Sequence, residues 1–289
     1  LINRPARTQL EFDIKTFVFA NIEITNLYAK MLSNEGILQL ASLNADLLDG
    51  RFDASGNLIF AGEKPEFKLK STASGINILR MLDESRRNTG LGGILGFDLI
   101  LQSPRNKNSY ANSSLSGNGR FTLKDFNYPY RNIESIFCDL SQFFTGRQTE
   151  RSDMGIGTNF SDLSGVFSIN SHEIVFSEAL ATTGNIKITA DGVIDLSNQD
   201  FRIEFASRLT DAATSENGCG VVSQLRDRDI TFICDGNLLQ TNSLACNPEM
   251  DAIGEVIKTS IIEKYRSEML GTALQNSMKL FEAVDQPLN

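Results

Sequence analysis

The chain alternates between apolar and polar residues with a period of two along most of its length. Leu10, Phe12 and Ile14, for example, are separated by charged residues. Because successive side chains of a strand point to opposite faces, this pattern predicts strands with one apolar and one polar face. It recurs in about a dozen segments joined by short turn sequences such as Asp49-Gly50, as expected for antiparallel strands. The sequence therefore predicts a mostly β fold with some α, built on a long antiparallel sheet.

Three segments have a helical period of three to four residues instead. The first spans roughly residues 77–87. The second begins after a capping residue, Asn132, and is stopped by Gly146. The third is a long C-terminal helix, which Asn247 is placed to cap and whose first turn suits Pro248.

The order of these elements suggests two comparable units. Strands, a short helix and further strands occupy residues 1–130, and a helix, strands and the terminal helix occupy residues 131–289. We predict that each is a β-groove unit of its own.

The net charge and the histidine content exclude several classes of function. The 36 acidic residues outnumber the 27 basic ones, which gives a net charge of −9. An acidic chain repels phosphate backbones, so we expect no nucleic-acid partner. The single histidine, His172, excludes zinc sites that need two histidines. We predict no metal, no cofactor and no catalytic residue.

The four cysteines are spaced too widely for a Cys-x-x-Cys metal or redox site. Their even number fits structural disulfides in an oxidising compartment. Cys234 and Cys246 are the closest pair in sequence, and we predict that they form a bridge between a strand and the start of the C-terminal helix. The alternative is four buried free thiols.

A sheet with one apolar face has to bury that face, and three helices are too little cover for about a dozen strands. Each Leu, Ile or Phe left in water forfeits roughly 1.5–3 kcal/mol. We therefore expect a curved sheet that forms a hydrophobic groove suited to acyl chains, lined by Phe52, Phe60, Phe67, Leu69, Phe97, Leu99, Leu101, Phe121, Phe167, Ile186, Ile188, Ile203 and Phe205. The alternative is a dry core in which these residues pack on each other.

The beginning of the chain and its lack of long apolar runs are relevant to where the protein is located in the cell. It begins without a methionine or a signal peptide, and it has no apolar run of the roughly 18 residues that a membrane helix needs. We expect it to be part of a longer protein whose targeting segment lies upstream.

Several segments resemble the C-terminal region of the AsmA family of bacterial envelope proteins. They are residues 36–40 (GILQL) with 43–52 (LNADLLDGRF), residues 93–99 (GILGFDL) with 115–119 (LSGNG), and residues 158–165 (TNFSDLSG) with 190–196 (ADGVIDL). Together these segments cover most of residues 10–235, and the resemblance lies in their order and spacing.

This resemblance implies a periplasmic protein of Gram-negative bacteria that is anchored to the inner membrane through an N-terminal segment missing here. It also implies a groove that binds or conducts phospholipid or another acyl-chain lipid and supports outer-membrane lipid homeostasis or assembly. Envelope proteins are possible partners, and the family has no catalytic motif to transfer.

Two other functions remain open at this point. The chain could be a periplasmic scaffold that binds proteins during outer-membrane assembly. It could less readily be a periplasmic hydrolase, which would have to use His172 as its only histidine.

Overall fold

The computed structural model describes most of the chain. The described residues are 7–19, 21–60, 65–84, 90–103, 115–130, 132–145, 157–210, 225, 228–237 and 245–249, together with single positions between 251 and 266.

One antiparallel sheet of thirteen strands contains every described strand. Each strand pairs with its neighbours in the chain, so the order in the sheet is the order in the sequence. The sheet is curved and does not close on itself. Its strands are β1 Thr8–Phe19, β2 Ile22–Asn34, β3 Ile37–Leu47, β4 Gly50–Ile59, β5 Glu66–Asn77, β6 Gly92–Gln102, β7 Ser116–Tyr128, β8 Thr158–Asn170, β9 Glu173–Thr183, β10 Ile186–Asp195, β11 Asp200–Leu209, β12 Asp229–Asn237 and β13 Ala245–Pro248. The predicted antiparallel sheet is confirmed.

Ion pairs on the polar face match the strand register. Asp98 of β6 lies directly opposite Arg120 of β7, and their side chains approach to 2.7 Å. Arg208 and Asp229 pair in the same way between β11 and β12. Opposite charges facing each other across strands favour one register, because a slip by one residue would turn every side chain to the other face.

Two described helices lie outside the sheet, α1 Ile78–Glu84 and α2 Ile133–Thr145. The predicted cap of α2 is present, since the side-chain oxygen of Asn132 accepts a hydrogen bond from the Ser135 backbone N–H at 3.2 Å. Asn77 caps α1 in the same way through the Arg80 N–H. The predicted end of the first helix, near residue 87, falls outside the described residues.

The larger core lies between α2 and the second half of the sheet. Phe137 of α2 is completely buried, and it belongs to one cluster with Phe160, Ile188, Ile230 and Phe232 from the strands. The amphipathic stripe of α2 therefore covers the apolar face of these strands.

A smaller core lies at one end of strands β3 to β6. It consists of Leu48, Ala73 and Ile76, with Met81 of α1 packed against them. Because α1 has only seven residues, it covers only the end of the sheet.

The Cys234–Cys246 disulfide is present, with a Cα–Cα distance of 4.1 Å. The prediction that it ties a strand to a helix is wrong. The two cysteines are directly opposed in the ladder of β12 and β13, and Asn247 and Pro248 are strand residues rather than the cap and first turn of a helix. Backbone pairing with β12 takes precedence here over the capping tendency of Asn247. Cys138 of α2 is also disulfide-bonded.

The C-terminal helix is described only in part. Helical positions occur singly or in short runs from Asp251 to Arg266, and the rest of the predicted helix lies outside the described residues. The two-unit division at 130/131 stays a prediction. The sheet itself continues across that point, because β7 pairs with β8.

Candidate apolar binding face

The strand register places all of the predicted lining residues except Phe60 on one face of the sheet, here called the apolar face. Directly opposed residues share a face, so the pairs Leu69 with Leu101 and Phe97 with Phe121 identify it on strands β5 to β7. The remaining lining residues follow from pairs such as Leu58 with Phe67, Leu99 with Gly119, Gly119 with Phe167, Ile186 with Leu209, Ile188 with Ser207, Gly192 with Ile203 and Ala190 with Phe205.

Phe60 lies beyond the strand ladder, and its place in the lining stays a prediction. Strand β4 ends at Ile59, and the Phe60 side chain is 55% exposed beyond the end of the ladder. Its backbone N–H donates to the Gly36 carbonyl at 2.7 Å, which closes the end of the β3–β4 hairpin. Phe60 therefore lies at the rim of the sheet.

Five phenylalanines occupy neighbouring positions across the apolar face and are here called the aromatic row; Phe97 and Phe121 are directly opposed in the ladder of β6 and β7. The row consists of Phe52, Phe97, Phe121, Phe167 and Phe176, all half-buried. Ring centroids of Phe52 and Phe97 lie 6.5 Å apart, those of Phe121 and Phe167 6.5 Å, and those of Phe167 and Phe176 6.3 Å. Such separations are typical of weak aromatic contacts, and they leave part of each ring accessible.

The sequence prediction missed Phe176, although it occupies a strand position two residues after Ile174. A bulge at Glu178, whose φ is 55°, lies between Phe176 and the buried Ala179. The bulge shifts the alternation, so Phe176 and Ala181 face the same side although their sequence spacing is odd.

Glycines lie under the rings of the aromatic row. A Cβ at Gly119 would lie 2.6 Å from the Phe167 ring, and a Cβ at Gly165 would lie 2.9 Å from the Phe121 ring. Both distances are shorter than any normal carbon contact. The rings therefore lie flat over the strands because these positions carry no side chain.

Replacing Gly119 with valine is expected to lower the free energy of unfolding by about 1–3 kcal/mol, because the added atoms would overlap the Phe167 ring and the Asp98 carbonyl oxygen. Urea denaturation checks this. The control is Asn118→Ala, at the exposed neighbouring position on the polar face, where we expect a change within about 0.5 kcal/mol. Equal losses in the two variants would contradict the prediction.

Helix α2 divides the predicted lining residues into two groups. Ile186 and Ile188 are buried under the helix, and Phe205 stacks on Phe232 with centroids 4.8 Å apart. These residues take part in the core, which is the alternative that the sequence left open. On strands β4 to β7, by contrast, Phe52, Phe97 and Phe121 retain accessible surface. The seven-residue helix α1 contacts β5 and β6.

A cavity of about 240 Å³ opens beside α2, between the helix and strands β7 to β13. Ile133, the first residue of α2, forms one wall, and Ile203, Phe205 and the Cys234–Cys246 disulfide form others. None of the described residues that line it is charged. The predicted lining residues Ile188, Ile203 and Phe205 thus contribute to this cavity as well as to the sheet.

The only histidine is exposed in the turn between β8 and β9. Its carbonyl oxygen accepts a hydrogen bond from the Leu196 N–H at 2.6 Å. Hydrogen bonds from Ser197 lower the pKa of nearby Asp195, and the charge of His172 adds to this effect. His172 and Asp195 therefore lie at one end of the strands, at the rim of the sheet rather than on the apolar face. Among the described residues, no cluster of His, Cys, Asp and Glu has the geometry of a metal site.

Comparison with known proteins adds the deciding observation. The model of the AsmA family matches residues 3–173, which is more than half of the chain. The chain belongs to the AsmA family. Members of this family are associated with the cell envelope, and membership indicates a role related to lipid transport or envelope assembly.

No curated protein and no solved structure matches this AsmA-family chain. In the part of the chain that the structure describes, no helix has both the length and the apolar character that crossing a membrane requires.

Proposed function

We propose that this AsmA-family chain is a non-catalytic module that holds phospholipid acyl chains against the apolar face of its sheet. It would act in the periplasm, be anchored to the inner membrane through a segment outside the given sequence, and support outer-membrane lipid homeostasis. The observation that carries the proposal is the aromatic row, whose rings face one side of the sheet and remain half-exposed.

Apolar side chains on the first seven strands keep part of their surface in contact with water. Phe97, Leu99 and Leu101 of β6 alternate with residues on the polar face, and each keeps apolar surface in contact with water. Burying such surface gains about 25 cal/mol per Å². Acyl chains that lie along the aromatic row would cover this surface and gain the free energy of its burial. They would need no directional contact, because hydrocarbon tails and phenyl rings form no hydrogen bonds.

The charged residues on the opposite, polar face of the sheet are also consistent with lipid tails lying on the apolar face. Its charged residues form cross-strand pairs, such as Lys30 with Glu11 at 3.0 Å and Arg120 with Asp98 at 2.7 Å. Charges are thus collected on one face, and a lipid headgroup would extend past the strand ends into water. No fixed headgroup pocket is required.

A charge on the apolar face tests the proposal. We expect Phe97→Asp to weaken binding of dioleoyl phosphatidylglycerol at least about tenfold, because the carboxylate would lose water when a tail covers it. Native mass spectrometry of the chain after incubation with this lipid measures the bound fraction. If Phe97→Asp fails to fold by circular dichroism, Leu101→Asp near the strand end replaces it.

The matched control is Thr122→Asp, which adds the same charge at an exposed position of β7 on the polar face. It should bind lipid as the unmodified chain does. Absence of lipid binding by the unmodified chain, or equal binding by the Phe97→Asp and Thr122→Asp variants, would contradict the proposal.

A protein-binding scaffold is the second candidate, and one observation favours it. Every residue of β1 is exposed, and among the described strands β1 pairs with β2 alone. An edge of this kind can accept a further strand from an envelope protein. Clean protein without bound lipid in the same mass spectra would favour this candidate.

A further inference from the structure

We propose that the cavity beside α2 is a separate acyl-chain subsite, which takes the end of one phospholipid tail that lies along the aromatic row. This inference rests on the proposed function and adds where a tail ends. It concerns the part of strands β7 to β13 that lies beside α2.

The lining of the cavity selects hydrocarbon. Among the described residues, its walls are aliphatic and aromatic side chains with the disulfide of Cys234 and Cys246, and the phenol of Tyr128 is the single side-chain oxygen among them. A headgroup placed here would lose its hydration without gaining partners, which is costly for any charged group. A methylene chain loses nothing by entering.

The size of the cavity fits part of one tail. Apolar cavities of about 150 Å³ stay dry and bind benzene or xenon. The cavity beside α2 has about 240 Å³, so it accepts a larger apolar group than benzene but not a whole diacyl lipid. One tail end is the occupant that meets both limits.

The cavity is continuous with the aromatic row through cross-strand neighbours. Ile203, which lines the cavity, lies opposite Gly192, and Gly192 lies opposite Phe176. Phe176 contacts Phe167 and Phe121 in the row. The Ile203 side chain packs over Gly192, where a Cβ would lie 2.8 Å from the Ile203 Cγ1, so the apolar surface is continuous from Ile203 to Phe176. A tail can therefore pass from the row to the cavity without crossing a polar residue.

Helix α2, which contributes Ile133 to the wall of this cavity, is held in place on the sheet. The Ile133 N–H at its start donates to the Thr158 hydroxyl of β8 at 2.9 Å, and Cys138 is disulfide-bonded. Phe137 is completely buried beneath it. The start of the helix is thus fixed at this wall, and a tail would enter from the side of Ile203 rather than by displacement of the helix.

Tryptophan reporters test the subsite, because the chain has no tryptophan of its own. Phe126→Trp places a reporter in the cavity wall, and Phe97→Trp places one in the row; both positions are half-buried phenylalanines. The probe is phosphatidylglycerol with dibrominated oleoyl tails, since bromine quenches tryptophan at short range. We expect both reporters to lose most of their emission relative to unbrominated lipid.

A cavity-filling variant provides the control. Ala190→Phe adds a ring to the cavity wall. It should abolish quenching of the Phe126→Trp reporter and leave quenching of the Phe97→Trp reporter unchanged. A parallel titration with free dibromostearic acid separates a phospholipid tail from a free fatty acid.

The outcomes separate the two proposals. Quenching at position 97 without quenching at position 126 would overturn the subsite and keep the proposed function; the cavity is then filled by the chain itself. Quenching at position 126 by the free fatty acid alone would also overturn it. Quenching at neither position would refute the proposed function.

Discussion

Replacing Phe137 with alanine is expected to lower the free energy of unfolding by about 3–5 kcal/mol, the largest effect of any single substitution considered for this chain. Its side chain has no exposed surface and lies at the centre of the cluster between α2 and the strands. Removal of the ring leaves a cavity that neighbours such as Ile136 and Phe160 fill only in part. Guanidinium denaturation followed by circular dichroism measures the loss.

Phe60→Ala is the matched control for this experiment, because the same group is removed from a side chain that is 55% exposed. We expect a change within about 0.5 kcal/mol there. Phe137→Leu should fall between the two, since it keeps most of the buried volume. A loss of less than about 1 kcal/mol for Phe137→Ala would mean that α2 does not depend on this contact.

The second large effect concerns the disulfide between β12 and β13. We expect the double variant Cys234→Ala/Cys246→Ala to lose about 3 kcal/mol of unfolding free energy, because a bridge across a short loop restricts the unfolded chain by about that amount. The two cysteines are 12 positions apart in sequence. β13 has only four residues, so the bridge also keeps it paired with β12.

Denaturation of the oxidised proteins measures this difference, and Asn247→Ala on the exposed side of β13 serves as the control for a change in the strand itself. The control should remain within about 0.5 kcal/mol of the unmodified chain. The prediction would fail if the double variant and the unmodified chain unfolded at the same denaturant concentration.

The strands were predictable because their signal is local. Alternation at Leu10, Phe12 and Ile14, and the turn at Asp49-Gly50, depend only on neighbouring residues, and the structure places strands and a turn there. The cap at Asn132 was predictable for the same reason. Where the connection is a short turn, as between β3 and β4, pairing of a strand with its neighbour in the chain then follows. Long connections, such as residues 129–157 between β7 and β8, do not determine the pairing in this way.

The rest of the site depends on contacts between residues far apart in sequence. Nothing local to residues 133–145 tells which strands α2 covers, so the burial of Ile186 and Ile188 beneath it could not be derived. The bulge at Glu178 shifts the alternation between Phe176 and Ala179. Asn247 had a capping sequence, but pairing with Ile233 decided its structure. In each case a tertiary contact overrides a local preference.

The neighbour-to-neighbour order of the strands has a consequence for how such proteins can change in length. Because no described strand inserts between two others, a hairpin added at either end of the sheet leaves every existing pairing intact, and one added within it interrupts a single pairing. Stability in such an array is close to a sum over adjacent pairs, so evolution can lengthen or shorten the molecule in two-strand steps. The distance that it spans is then set by how many hairpins the gene encodes.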